Sequence, residues 1–117
     1  MVVFVEDSFD SAHQLPNVPE DHKCRRLHGH TYRIRIEVEG EVDPQMGWVI
    51  DYSEIKRVWD PVKAELDHHE LNAVPGLQNP TCEHLARWIW HRMTLQGLVL
   101  SRIELRETVN CGVVLSR

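Results

Sequence analysis

From His28 onward the chain alternates without a break: His28, His30, Tyr32, Ile34, Ile36 and Val38 fall on one side, Arg33, Arg35, Glu37 and Glu39 on the other. A period of two marks a strand with one buried face. His28 and His30 then project the same way, with only the hydrogen of Gly29 between them. Polar side chains that continue an apolar stripe must be satisfied, by hydrogen bonds or by a metal ion. An earlier alternating run, residues 2–15, places Val3, Val5, Phe9, His13 and Leu15 on one face, so His13 offers a third imidazole. Three neutral imidazoles with one position left open form the ligand set of a catalytic zinc. Surface or hydrogen-bonded core histidines are the plainer alternative.

The rest of the chain supplies layers for such a sheet. Pro16, Pro19 and the polar stretch from Asn17 to Lys23 make a loop, and Gly40, Asp43, Pro44 and Gly47 a turn before a short extended piece, Trp48–Ile50. Asp51 with Glu54 reads as a capping residue and its reciprocal partner. Ile55, Val58, Trp59, Val62 and Leu66 follow at helical spacing, with a kink expected at Pro61. Asn79 and Pro80 open a second helix with Leu85, Trp88, Ile89 and Met93 inward and Ala86 and Trp90 off that face, Trp90 being core or subunit contact. Strands are expected over about 100–108 and from Gly112 to Leu115. The order strand, strand, helix, helix, strand, strand predicts an α+β fold, a four-stranded antiparallel sheet with two helices packed on one face.

The 117 residues are enough for a single domain, 1–117, with one core. A formal charge of -5 argues against a nucleic-acid surface, which needs an excess of lysine and arginine. No basic leader with an apolar core opens the sequence and no apolar run approaches membrane-spanning length, so a cytoplasmic protein without membrane or nucleic-acid partners is expected. Cys24, Cys82 and Cys111 lack paired zinc-finger spacing and imply no disulfide framework.

Three further features carry chemistry. Cys24 lies among Lys23, Arg25 and Arg26, whose charges favour a thiolate able to act as base or nucleophile. Asp67-His68-His69 follows a helix end; it suits either an aspartate-oriented acid–base histidine or compensation of the helix dipole. Glu107 continues the apolar face of Ile103 and Leu105, a costly place for a carboxylate unless it joins an ion pair or anchors a ligand.

Together, His13 in FDSAHQLP, Cys24 to His30 in CRRLHGH, GEVDPQMGWVIDY, LDHHELN, NPTCEHLA and Arg106-Glu107-Thr108 resemble the 6-pyruvoyltetrahydropterin synthase family over nearly the whole chain. The three residues between Cys24 and His28 make it most similar to the bacterial 6-carboxytetrahydropterin synthases of queuosine biosynthesis. The resemblance implies a tunnelling fold that joins sheets into barrels, a homohexamer built as a dimer of trimers, and active sites between subunits. It implies Zn2+ on His13, His28 and His30, proton transfer by Cys24 and His68 with Asp67 as partner of His68, and Glu107 as anchor of the pterin ring. The implied substrate is 7,8-dihydroneopterin triphosphate, converted to 6-carboxytetrahydropterin with release of triphosphate and acetaldehyde. Lys23, Arg25 and Arg26 are expected to attract the triphosphate. Cys82 in NPTCE, where the family often has serine, and Val109-Asn110-Cys111 depart from the family pattern. Three competing readings are a pyruvoyl synthase that keeps the side chain, a cupin, which would need more strands and a second histidine motif, and a non-catalytic pterin- or metal-binding module.

Overall fold

The computed structural model describes the whole chain, Met1–Arg117. Strands β1 (Val2–His13) and β2 (His28–Glu39) form a long antiparallel ribbon in which Val5 pairs with Ile36, Phe9 with Tyr32 and His13 with His28. The alternation is realised: Val5, Phe9, Tyr32, Ile34, Ile36 and Val38 are buried on one face. Strands β3 (Arg102–Arg106) and β4 (Gly112–Ser116) extend the sheet in the order β1-β2-β3-β4, all antiparallel. The outer edges of β1 and β4 carry no partner strand within the chain, apart from a single bridge between Ala12 and Glu70.

Helix α1 (Tyr52–Leu66) packs on β1, and helix α2 (Cys82–Thr94) on β3 and β4. The α1 stripe is as expected: Ile55, Val58, Trp59, Val62 and Leu66 are all buried. Burying side chains of this size stabilises the fold by about 1.5–3 kcal/mol each. The helix runs through Pro61 without interruption. Asp51 caps it by accepting the Ser53 N–H at 2.9 Å, but Glu54 turns to Arg57 instead of reaching back to the cap.

Several boundaries differ from expectation, each for a local reason. Helix α2 starts at Cys82 with Thr81 as its cap, because the Asn79 and Pro80 carbonyls accept hydrogen bonds from elsewhere: Thr81 N–H and His84 Nδ1 reach Asn79, and His13 Nδ1 reaches Pro80. Its buried face takes Ala86 in place of Trp88, whose indole N–H donates to the Pro75 carbonyl at 3.1 Å. Trp90 is half-buried beside Leu98, Val99 and Leu100. Residues 48–50 are a bend closed by the Asp43 N–H to the Trp48 carbonyl, not an extended piece. β1 stops at His13, and β3 spans only Arg102–Arg106.

Two carboxylates shape the sheet. Asp7 sits on the inward face of β1, accepts the Trp59 indole N–H at 2.9 Å and pairs with Lys63 at 3.1 Å. Burial raises the pKa of Asp7, but these donors and the Ser8 N–H outweigh it and hold the carboxyl below its ordinary value. On the outward face Glu37 is covered by Arg35 and Arg102, at 3.1 and 2.5 Å. Gly112, at the start of β4, has no room for a side chain: a Cβ there would lie 2.3 Å from the Leu105 carbonyl oxygen.

Candidate active site

Where β1 ends and β2 begins, their register sets His13 opposite His28 and Ser11 opposite His30. The side-chain nitrogens of His13, His28 and His30 all lie within 4.8 Å of one another. His13 is 1% exposed, so it cannot trade the others for water. Two of the rings are braced from behind: His13 Nδ1 lies 2.9 Å from the Pro80 carbonyl and His28 Nδ1 2.7 Å from that of Arg26. A carbonyl only accepts, so each Nδ1 carries the hydrogen and each Nε2 is left with a bare lone pair. These two Nε2 atoms face each other at 3.0 Å.

Opposed lone pairs at that separation repel unless a shared cation or proton lies between them. The arrangement therefore fits a divalent metal, with carbonyls as the outer groups that fix ring orientation. Burial also depresses the pKa of both His13 and His30, against the attraction of Glu107, which favours the neutral rings a metal needs.

Glu107 joins this cluster. It lies one residue beyond β3, where continuation of the β2–β3 register would set it beside Tyr32 on the inward face. Its Oε1 is 3.5 Å from His13 Nε2 and 3.6 Å from His30 Nε2. Its carboxylate is thus turned toward the histidines.

Asp67 and His68 form a second group beside the first. Their contact is direct, with Asp67 Oδ1 at 3.0 Å from His68 Nδ1. The Asp10 N–H donates to the same oxygen at 2.9 Å, and this bond, with His68 behind it, holds the Asp67 carboxyl below its ordinary pKa. His68 is the one non-glycine residue with positive φ, 58°, and its side chain is 78% exposed. Such a conformation needs ties, and strand β1 supplies them. The His68 N–H donates to the Asp10 carbonyl at 2.6 Å, the Ala12 N–H to that of His69 at 3.1 Å, and the Ser11 hydroxyl to that of Leu66 at 2.5 Å. Thr31 steadies Asp10 through its hydroxyl. A cleft of about 530 Å³ is lined by Ser11, Gly29, His30, Thr31, His68 and His69, among others, so that His30 is the member of the trio that reaches it. His69 turns its Nδ1 to the Asp67 carbonyl.

Cys24 is not in either cluster. It sits in a short 3-10 turn, Lys23–Arg25, whose position is fixed by the Leu15 N–H donating to the Cys24 carbonyl at 2.8 Å. Arg25 spends its guanidinium on the Val18 carbonyl. Cys82 is buried, with burial and the nearby Glu107 and Glu83 charges pushing its thiol up to about 12, and Cys111 is exposed.

A family model described as 6-pyruvoyl tetrahydropterin synthase matches residues 2–117. The chain belongs to that family. It is thus an enzyme of the tetrahydropterin-synthase type, as the resemblance implied. A 6-carboxy-5,6,7,8-tetrahydropterin synthase from Synechocystis is 41% identical over 113 residues, covering 92% of this chain and 86% of the relative. A dihydroneopterin monophosphate aldolase from Pyrococcus furiosus is 40% identical, covering 92% and 90%. Among solved structures, the 6-pyruvoyl tetrahydropterin synthase of Caenorhabditis elegans superposes with a TM-score of 0.87 at 25% identity, over 100% of this chain and 96% of that one. The tunnelling fold expected from the sequence is the fold observed. No helix is long and apolar enough to cross a membrane.

Sequence reasoning missed Asp10, Ser11 and Thr31. Ser11 falls on the inward face between Phe9 and His13, and a hydroxyl there needs an acceptor, so the alternation already held that signal. Asp10 and Thr31 face outward and gave none.

Proposed function

We propose that this protein converts 7,8-dihydroneopterin triphosphate to 6-carboxytetrahydropterin, releasing triphosphate and acetaldehyde, as a step of queuosine biosynthesis. The observation that carries the reading is the trio of imidazoles with opposed, bare Nε2 atoms beside the Asp67–His68 pair. The 41% identity to a carboxytetrahydropterin synthase supports the choice of product. His13, His28 and His30 would hold Zn2+. When bound, the metal supplies Lewis acidity to the side-chain hydroxyls of the substrate, making the adjacent C–H bonds more acidic.

The chain's own residues do the rest. His68, fixed in orientation by Asp67, exchanges protons with the side-chain carbons and hydroxyls. Cys24 is proposed as the second proton-transfer group. Glu107 would grip the amino-pyrimidine edge, which offers two N–H donors side by side to a carboxylate. Lys23, Arg25 and Arg26, all exposed, would attract the triphosphate.

A lone copy presents this machinery incompletely. His68 is largely open to water, the sheet has two free edges, and the radius of gyration is 15.5 Å. A compact chain of this length should have about 13 Å. These features support assembly through sheet edges, a hexamer of two trimers with sites between subunits, the whole chain acting as one domain.

Incubation with dihydroneopterin triphosphate, with and without a chelator, tests the proposal through its products. Acetaldehyde with 6-carboxytetrahydropterin is expected, and none in chelator. A pyruvoyl product would replace it with the three-carbon synthase. The 40% identity to the aldolase favours one other activity worth the same assay, on dihydroneopterin monophosphate, where a shortened pterin alcohol would appear instead.

A further inference from the structure

The face of the sheet turned away from the helices carries a cavity of about 740 Å³ lined by four arginines and three glutamates. Strand register sets most of these charges against their opposites. Arg35 stands between Glu6 on β1 and Glu104 on β3, and Glu37 stands beside Arg102. Arg33 breaks the pattern. Its neighbour on β3 is Arg106, and its neighbour on β1 is Ser8, which brings no charge. Like charges directly opposite each other on adjacent strands cost stability, unless an anion is shared between them.

The carboxylates of the cavity are already committed elsewhere. Glu37 is shared by Arg35 and Arg102, at 3.1 and 2.5 Å, and Glu104 by Arg102 and Arg106, at 3.5 and 2.7 Å. Glu6 takes Arg35 at 3.6 Å, and the same guanidinium lies over the Phe4 ring, 3.5 Å from its centroid. Asp10, diagonal to Arg33, is turned to the Thr31 hydroxyl. Arg33 is therefore the one arginine of the four without a carboxylate or carbonyl partner, and it is exposed at the cavity wall. Arg106 spends Nε on Glu104 and Nη1 on the Val109 carbonyl, which leaves its other terminal nitrogen free to donate.

Two guanidinium groups on adjacent strands select the chemistry of what fits between them. Each is a planar fork of donors that matches the oxygens of a carboxylate or a phosphate. A carboxylate has a single charge to divide between two cations, whereas a phosphoryl group carries about -1.5 to -2 at neutral pH and three acceptor oxygens. In a chain of net charge -5, an anion is held only where cations locally outnumber carboxylates, and this cavity is such a place.

We propose that the helix-free face of the sheet holds a second ligand site, in which Arg33 and Arg106 grip the phosphoryl group of free phosphate or of a phosphate ester. Along β2 the outward Thr31 and Arg33 alternate with the inward His30 and Tyr32, so the sheet itself separates this site from the histidine trio. The site requires neither a metal ion nor a pterin.

Isothermal titration calorimetry of the whole protein with inorganic phosphate, at low ionic strength, tests this directly. Saturable binding is expected in the parent, weakened about ten- to a hundredfold in Arg33→Gln, the share of a hydrogen bond to a charged group. Arg106→Gln should show a loss of the same order, and circular dichroism should show both variants folded. Methyl phosphate distinguishes the two sources: parent-like affinity assigns an ester and much weaker binding assigns free phosphate, and either result supports the site if Arg33→Gln abolishes it.

Absence of saturable phosphate binding in the parent would overturn the proposal. So would binding that survives in Arg33→Gln and Arg106→Gln but is lost in Arg26→Gln, because phosphate would then sit in the basic loop before β2. An altered assembly state of Arg33→Gln in sedimentation, with phosphate affinity unchanged, would also end it by making Arg33 a contact between copies of the chain.

Discussion

The histidine trio and the Asp67–His68 pair meet at one cleft through His30 and His68, yet the chain builds them in opposite ways. The trio grows from two paired strands: register alone sets His13 against His28, and carbonyls of Pro80 and Arg26 lock the rings. The pair hangs on a turn in a positive-φ conformation, and it is largely exposed. What keeps it in place is borrowed from β1, through Asp10, Ser11 and Ala12. One group is braced by main-chain carbonyls around a buried His13, and the other is left accessible and tethered from outside.

Replacing one member of each group gives the sharpest separation. His28→Ala should abolish stoichiometric metal while leaving the fold intact, measured by elemental analysis and circular dichroism. His68→Ala should keep its metal and lose turnover by about 10²–10⁴-fold, the usual share of a general acid–base group. If His68→Ala lost metal as well, the two groups would be one unit and the contrast would fail.

The tether can be cut by itself. Ser11→Ala leaves the Leu66 carbonyl without its buried donor, and an unsatisfied buried group costs about 1–3 kcal/mol. A fall of that size in denaturant stability is expected, with turnover reduced more than metal content. Equal losses of both would show that Ser11 supports the ribbon as a whole.

Asp7, midway along the same strand, should matter through pH. Its folded pKa lies below the ordinary 3.8, so its contribution is fully present above that value and is lost as pH falls through the folded pKa. Asp7→Asn should therefore be less stable at neutral pH and show a flatter stability profile between about pH 4 and 2. The smallest effect concerns the thiols. Cys82, pushed up to about 12 by burial and two nearby carboxylates, should resist alkylation in the folded protein while Cys24 and Cys111 react, as mass spectrometry would show.

Much of this architecture was legible because period two is unambiguous when both faces carry clear residue types. His28, His30 and Glu107 stand out as polar groups on apolar faces, and the structure gathers the two histidines with His13 and sets Glu107 beside His13 and His30. The same rule applied to Asp7 and Ser11, but a single inward carboxylate or hydroxyl says nothing of its partner, and here Lys63 and the Leu66 carbonyl come from a distant helix. Glu37 falls on the face opposite the apolar stripe, and its burial is invisible in the sequence because it depends on Arg102 arriving from β3. The start of α2 was misjudged by two residues since Asn79 and Pro80 have the right chemistry for a cap, and only the tertiary demand of His13 for the Pro80 carbonyl displaces it. Nothing local to Cys24 shows that its thiol stays outside the imidazole group.

The tight fit at Gly112 has a bearing on the cluster several residues away. Any side chain there would collide with the Leu105 carbonyl and the Arg106 backbone and wedge the last two strands apart at the point where Glu107 is aimed. A single added methyl, far from every imidazole, would act as a shim that tilts the carboxylate off its target, so a damaged site could arise in a protein whose histidines are all untouched.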